Sequence, residues 1–204
     1  MPSIQCRRRV VGRPRPPIAV ADGRLWGMSL SAAIRFFSLL ALFAGATAIV
    51  LFAVRLVPAR VFPAGHRLLA QVYGVRVWLA WLVAATSMLG SLYFSEVQNL
   101  RPCTLCWYQR IAMYPLAVIL LVGARRPDGE GRRYALPLAV IGFVIATYHY
   151  LVEWNPTWES GSCDLAAPCS VPYFREFDFV SLSFMAMCGF AAIVALLVTP
   201  RKEQ

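Results

Sequence analysis

Five apolar stretches alternate with polar segments along this chain, at residues 36–54, 77–95, 107–124, 134–152 and 179–200. Four carry no charged side chain, and the third is broken once, by Arg110, which leaves 111–124 charge-free. Runs of this length, at about 1.5 Å per helical residue, come close to crossing a hydrocarbon core of roughly 30 Å. The pattern therefore predicts five helices of a membrane protein. Pro115 and Pro137 fall inside two of them and predict kinks. Pro127-Asp128-Gly129 supplies the turn signal between the third and fourth runs.

The polar segments divide the chain. Residues 1–35 hold seven arginines and several early prolines and read as a basic flexible tail. Residues 36–54 form an extra hydrophobic helix with the length of a span. They are too long for the apolar region of a signal peptide, which runs to about 15 residues. Residues 55–76 read as a basic connector, 77–200 as a four-helix membrane domain and 201–204 as a cytoplasmic tail. Arg7-Arg8-Arg9 is followed by Val10-Val11-Gly12-Arg13-Pro14 and not by an apolar stretch, so it does not match a twin-arginine export signal.

Composition agrees with a membrane protein. Hydrophobic residues make up 59% of the chain and charged ones 15%, where a soluble domain has about a quarter charged. The net charge of +10 comes from 19 arginines and one lysine set in short clusters between apolar runs. That arrangement lacks the interleaved aromatics of a nucleic-acid surface, and no nucleic-acid partner is expected. Such clusters set topology instead. Segments 55–76, 125–133 and 201–204 hold four, four and two Arg/Lys residues, whereas 96–106 and 153–178 hold only Arg101 and Arg175. The imbalance puts the second group of loops outside the cytoplasm. The tail opposes this rule if 36–54 also spans, since its arginines would then lie outside. A translocated tail, an interfacial or cleaved 36–54, or a start at Met28 would each account for it.

Both outward loops contain cysteine pairs. Cys103 and Cys106 are three residues apart where a loop passes into an apolar run, so the first thiol sits at a helix N-terminus that favours thiolate. The spacing suits a reversible disulfide, and equally half of a zinc site or two inert core thiols. Cys163 and Cys169 can be bridged if their loop folds back, as a structural staple or as a second redox pair open to a soluble protein. A site of four cysteines is a poor match to zinc, because ligand pairs usually have two to four intervening residues and the second pair has five. Arg110 lies one turn beyond Cys106, where it either snorkels or offers donors to an anionic or carbonyl ligand. His149, between Tyr148 and Tyr150, is at the same depth and is either a belt residue or a second contact to that ligand. Trp107, Tyr108 and Trp154 extend the aromatic belt. Cys6 reads as a bystander and Cys188 as a small apolar side chain.

Residues 90–96 (Gly-Ser-Leu-Tyr-Phe-Ser-Glu), 102–111 (Pro-Cys-Thr-Leu-Cys-Trp-Tyr-Gln-Arg-Ile), Met113-Tyr114-Pro115, His149-Tyr150-Leu151 and Pro168-Cys169-Ser170 closely resemble the DsbB/BdbC family of disulfide-forming membrane proteins, most of all its short-loop BdbC branch. The resemblance runs from about Trp78 to Val198. It implies an all-α membrane protein, a four-transmembrane-helix bundle to which 36–54 adds an N-terminal hydrophobic helix. It further implies a thiol:quinone oxidoreductase of the bacterial inner membrane, which oxidises a thioredoxin-fold, DsbA/BdbD-like thiol oxidase outside the cytoplasm. The electrons would pass to a membrane quinone, ubiquinone or menaquinone. Carried onto this chain, Cys103 and Cys106 are the quinone-linked pair, with Cys106 nearer the quinone. Cys163 and Cys169 are the pair that meets the partner, through Cys163. Arg110, His149 and Trp107 become the quinone contacts. The competing reading is a membrane scaffold with structural disulfides or a four-cysteine metal site.

Overall fold

The computed structural model describes residues 29–58, 60–126, 131–159 and 167–199, apart from the side chain of Leu68. Residues 1–28 of the tail expected over 1–35, the turn at 127–130, Cys6, Cys163 and the last residues lie outside that set. Five helices account for most of the rest: α1 (Leu30–Leu56), α2 (Pro63–Leu92), α3 (Thr104–Arg125), α4 (Gly131–Trp154) and α5 (Leu182–Val198). Among the described residues the extended structure is a single isolated bridge, Glu176 to Val180. The first four helices are each long and apolar enough to cross a membrane, and α5 is a shorter apolar helix.

The helices start where local chemistry permits, which is not always where charge stops. Ser29 caps α1 by accepting from the Ala32 amide at 3.3 Å, so the helix begins six residues before the charge-free run. Arg35 is accommodated inside it because its guanidinium reaches Glu176 at 3.2 Å. Pro63 opens α2 at a position whose missing N–H is not needed, and most of the expected connector 55–76 is therefore helical. Arg76 lies in that helix, stacked 3.7 Å over the Tyr73 ring and donating to the Thr199 carbonyl at 2.9 Å. At its other end α2 widens into a π turn over Tyr93–Val97, and Asn99 ends the segment at φ 54°, a conformation asparagine tolerates.

Helices α2, α3, α4 and α5 form a closed ring in which each packs on its two neighbours, a four-helix bundle. Its interior is filled by Leu116 and Leu120 of α3 and Phe190, Ile193 and Leu197 of α5, all without solvent exposure. Gly142 lets α4 close on α5, since a Cβ there would overlap the Phe190 ring. Helix α5 is the shortest of the five, at 17 residues. It is flanked by α1, α2 and α4, and Phe179 and Val180, which its apolar run includes, belong to the preceding bridge region.

Helix α1 lies outside the ring, along α5. Gly45 brings it within 2.9 Å of Cys188 Sγ, measured from an ideal Cβ, and Cys188 serves as the small apolar side chain its setting predicts. Arg35 sits beside Glu176, just before α5, and Arg55 donates to the Val198 carbonyl at 2.6 Å, at the end of α5. So α1 runs parallel to α5 along its length, as a fifth spanning helix would and an interfacial one would not. Its N-terminus lies at the end of the bundle that bears Cys103 and Cys169. The charge rule and the packing disagree here, and Glu176 answers Arg35, the one arginine of the expected tail that falls among the described residues.

Candidate functional site

Cys103 is the N-cap of α3. It accepts the Cys106 amide at 3.3 Å, and the next backbone turn is closed by Trp107 N–H to the Cys103 carbonyl at 3.1 Å. The helix start therefore brings the two sulfurs onto one side, 2.8 Å apart, against about 2.05 Å in a disulfide. Both are free thiols, and less than an ångström of movement would join them.

His149 of α4 faces this pair. Gln109, one turn beyond Cys106, places its amide nitrogen 2.9 Å from His149 Nδ1. An amide nitrogen only donates, so Nδ1 accepts and the ring proton sits on Nε2, which lies 3.6 Å from Cys103 Sγ. The Cys103 thiol is held far below its usual range, at about 5, first by the hydrogen bond from Cys106 and then by His149, against the opposing effect of burial. Stabilising the thiolate stabilises the reduced pair, which makes the disulfide a stronger oxidant. The ultraviolet thiolate absorbance of the reduced chain is expected to titrate with a midpoint of about 5. The Cys103 signal persists above that pH and is lost below it. His149→Ala should move the midpoint up, and Cys106→Ala should move it further, because Cys106 contributes most; an unmoved midpoint in both variants would contradict this geometry.

Cys106 faces the other way. With Gln109 and Arg110 it lines an apolar cavity of about 480 Å³ between α1, α2, α3 and α5. Arg110 does not extend to the bundle end. Its guanidinium donates to the Ser91 carbonyl of α2 at 3.1 Å, which holds the head group at the cavity wall. Trp107 is half exposed on the outer face of α3, its ring centroid 5.3 Å from the guanidinium carbon, and it does not line the cavity.

On the Cys103 side is a smaller cleft lined by Cys103, Cys106, His149, Glu153, Cys169 and Tyr173, among others. Cys169 is 1% exposed and packs in one apolar cluster with Cys103, Leu105 and Val152. It is disulfide-bonded, to a cysteine outside the described residues. That bond leaves no set of four thiolates, although Cys103, Cys106 and His149 present three ligand atoms within 4.8 Å of one another. The loop around Cys169 is held by Glu159, whose carboxylate accepts the Cys169 amide at 2.6 Å and the Ser170 hydroxyl at 2.7 Å. Ser170, more than any other group, holds Glu159 below its usual range. Tyr173 donates to the Arg101 carbonyl at 2.6 Å and so ties this loop to the one carrying Cys103.

Cys103, Cys106, Cys169, Arg110 and His149 thus meet at one end of the bundle, with Cys103 and Cys106 between two compartments. His149 belongs to the small cleft and not to the cavity where its depth alone would allow it. Gln109 and Glu153 join the site unassigned by the sequence. Both are polar side chains buried in apolar helices, and Glu153 follows His149 by one helical turn, which is the signal that marks it.

Residues 74–200 match the family model described as disulfide bond formation protein DsbB. The disulfide bond formation protein C of Bacillus subtilis (strain 168) is 40% identical over 131 residues, 64% of this chain and 95% of that protein. A probable disulfide formation protein C 2 of Bacillus anthracis is 44% identical over 119 residues, 58% of this chain and 85% of its own length. A probable disulfide formation protein of Deinococcus radiodurans is 43% identical over 137 residues, covering 63% and 90% of the two chains. No solved structure matches. The family match takes in α2 from Gly74 onward and the whole of α3, α4 and α5, and α1 lies entirely before it.

Proposed function

The chain belongs to the DsbB family of disulfide bond formation proteins, a multi-pass membrane protein with a role in disulfide formation, and on that premise we propose that it is a thiol:quinone oxidoreductase. It draws electrons from a thioredoxin-fold, DsbA/BdbD-like dithiol protein outside the cytoplasm, at the bacterial inner membrane. The observation that carries this reading is the position of Cys103 and Cys106 between the Cys169 cleft and the Arg110 cavity. The positive-inside count supports the sidedness of the loops.

A quinone of the ubiquinone or menaquinone type fits the larger cavity. Its volume of about 480 Å³ is within the usual ligand range of roughly 300–1,000 Å³, its walls are apolar, and Arg110 and Cys106 stand together at one end. Arg110 would hold a quinone oxygen by its guanidinium donors, with Cys106 as the thiol nearest the ring. A bound quinone would accept the two electrons and two protons that the Cys103/Cys106 dithiol gives up on closing to a disulfide.

The remaining steps belong to the protein's own thiols. A partner thiolate attacks Cys163 in a Cys163–Cys169 disulfide and expels the Cys169 thiolate. Cys169, packed on Cys103, attacks Cys103 Sγ in the Cys103–Cys106 disulfide and releases Cys106 toward the cavity. The second partner thiol closes the partner's own disulfide and frees Cys163. Cys163 then attacks Cys169 and releases Cys103, the thiol with the lowered pKa and so the better leaving group. The partner has lost two electrons, the second pair is restored, and Cys103/Cys106 is reduced.

A thioredoxin-fold partner that keeps only its exposed active-site cysteine, supplied reduced, should be captured as a mixed disulfide on Cys163. The adduct should be mapped by mass spectrometry and absent from Cys163→Ala. An adduct on Cys169 would reverse the order of the second pair. No adduct at all would favour the scaffold with structural disulfides.

A further inference from the structure

We propose that α1, the helix outside the family match, is the outer wall of the cavity and that its seam with α2 is the lateral doorway through which the isoprenoid tail of the quinone lies and passes. The inference rests on the quinone reading of the same cavity. Three observations carry it.

First, α1 and α2 touch at their ends and part between. At the cysteine end Phe37 packs on Gly90, where an ideal Cβ would come 2.8 Å from the ring, and it stacks with Phe94 at 5.5 Å between centroids. At the far end His66 Nε2 lies 2.9 Å from the Val57 carbonyl, and Gly65 admits Val54, 2.8 Å from an ideal Cβ. Second, between these clasps the facing side chains line the cavity instead of packing on one another: Leu40, Phe43 and Thr47 on α1, and Leu79, Leu82 and Thr86 on α2. Third, Leu40, Phe43, Leu79 and Leu82 are exposed, Phe43 by 73%, far more than side chains enclosed in a sealed cavity would be, so the cavity opens along this seam. From Leu40 to Thr47 the opening extends about 10 Å along the helix axis.

This slot is continuous with the compartment of Arg110 and Cys106 and is uncharged along its length. A ligand whose polar ring sits at Arg110 is blocked toward the cysteine end by the Phe37–Gly90 clasp, and its apolar tail has the seam as its way into the bilayer. An isoprenoid chain suits such a slot. In a bundle without α1, the same face of α2 and α5 would meet lipid directly.

The full-length chain in lipid nanodiscs, given a long-tailed quinone carrying a diazirine in its tail, should be photolabelled on residues 40–47 and 79–86, with the label competed by unmodified long-tailed quinone. Label confined to the outer faces of α3 and α4, or label on the seam competed only by phospholipid, would overturn the proposal. Ala44 of α1 also lines the cavity, so Ala44→Trp, which narrows the slot, should weaken equilibrium binding of a long-tailed quinone about tenfold, the worth of roughly two buried methylenes, and leave a tail-less quinone within about twofold. Equal loss for both quinones would also overturn it. Should that variant fail to fold, the labelling of the unmodified chain decides. If the unmodified chain binds neither quinone, the quinone reading itself fails; if it binds both with no label on α1 or α2, only the doorway does.

Discussion

Replacing Cys106 with serine is expected to abolish quinone-dependent oxidation of a reduced dithiol partner, a fall of about 10³-fold or more, to background, as for removal of one member of a group that acts as a unit. Serine fills nearly the same volume, so the α3 start and the bundle should persist. The variant cannot form the Cys103–Cys106 disulfide, and the Cys169 thiolate then has nothing to attack. Capture of a single-cysteine partner on Cys163 should survive, because that step uses only the outer pair. The two readouts separate a broken relay from a misfolded protein. Quinone-linked turnover retained in the serine variant would remove Cys106 from the path and sink the mechanism.

The helices are legible in the sequence because apolar length is a strong signal, but their ends are not where charge puts them. Arg35 and Arg76 read as boundaries, yet each has a partner within reach of its long stem, Glu176 in one case and the Thr199 carbonyl with the Tyr73 ring in the other. A rule that stops a span at every arginine misses partners that are distant in sequence. Depth is legible for the same reason that azimuth is not. Spacing puts Arg110 and His149 at one depth, a turn inside Cys106, but which compartment each faces depends on helix rotation, and helix rotation is set by neighbours. Rotation sends His149 to Cys103 and turns Trp107 outward. The role of α1 as a cavity wall is illegible because its apolar residues give no sign of whether they face lipid, protein or a ligand. The tail's arginines run against the packing direction of α1, a conflict that the distribution of charge along the chain already displays. Cys163, whose pairing with Cys169 is the step most in need of chemistry, lies outside the described residues.

Glu153→Gln should slow electron transfer from the second pair into Cys103–Cys106 by about 10²-fold while leaving the quinone-linked half of the cycle intact. Glu153 is 7% exposed, and its Oε1 accepts the Ser183 hydroxyl at 2.6 Å. Its Oε2 is buried and has no hydrogen-bond partner among the described residues. An unsatisfied carboxylate oxygen costs free energy to bury, so its retention between two cysteine pairs calls for a use. Thiol–disulfide exchange supplies one, since each attacking thiol must lose its proton and Glu153 lines the cleft shared by Cys103, His149 and Cys169. Glutamine keeps an oxygen for Ser183 but cannot take up that proton. The inter-pair step should therefore slow. Reoxidation of Cys103/Cys106 by quinone after reduction with a small dithiol should continue at the original rate. A purely structural role predicts something different: both halves slow together and the melting temperature falls. An inter-pair rate kept by Glu153→Asp but lost in Glu153→Gln would locate the effect in the carboxyl group, and failure of both to differ from the unmodified chain would leave Glu153 out of the exchange.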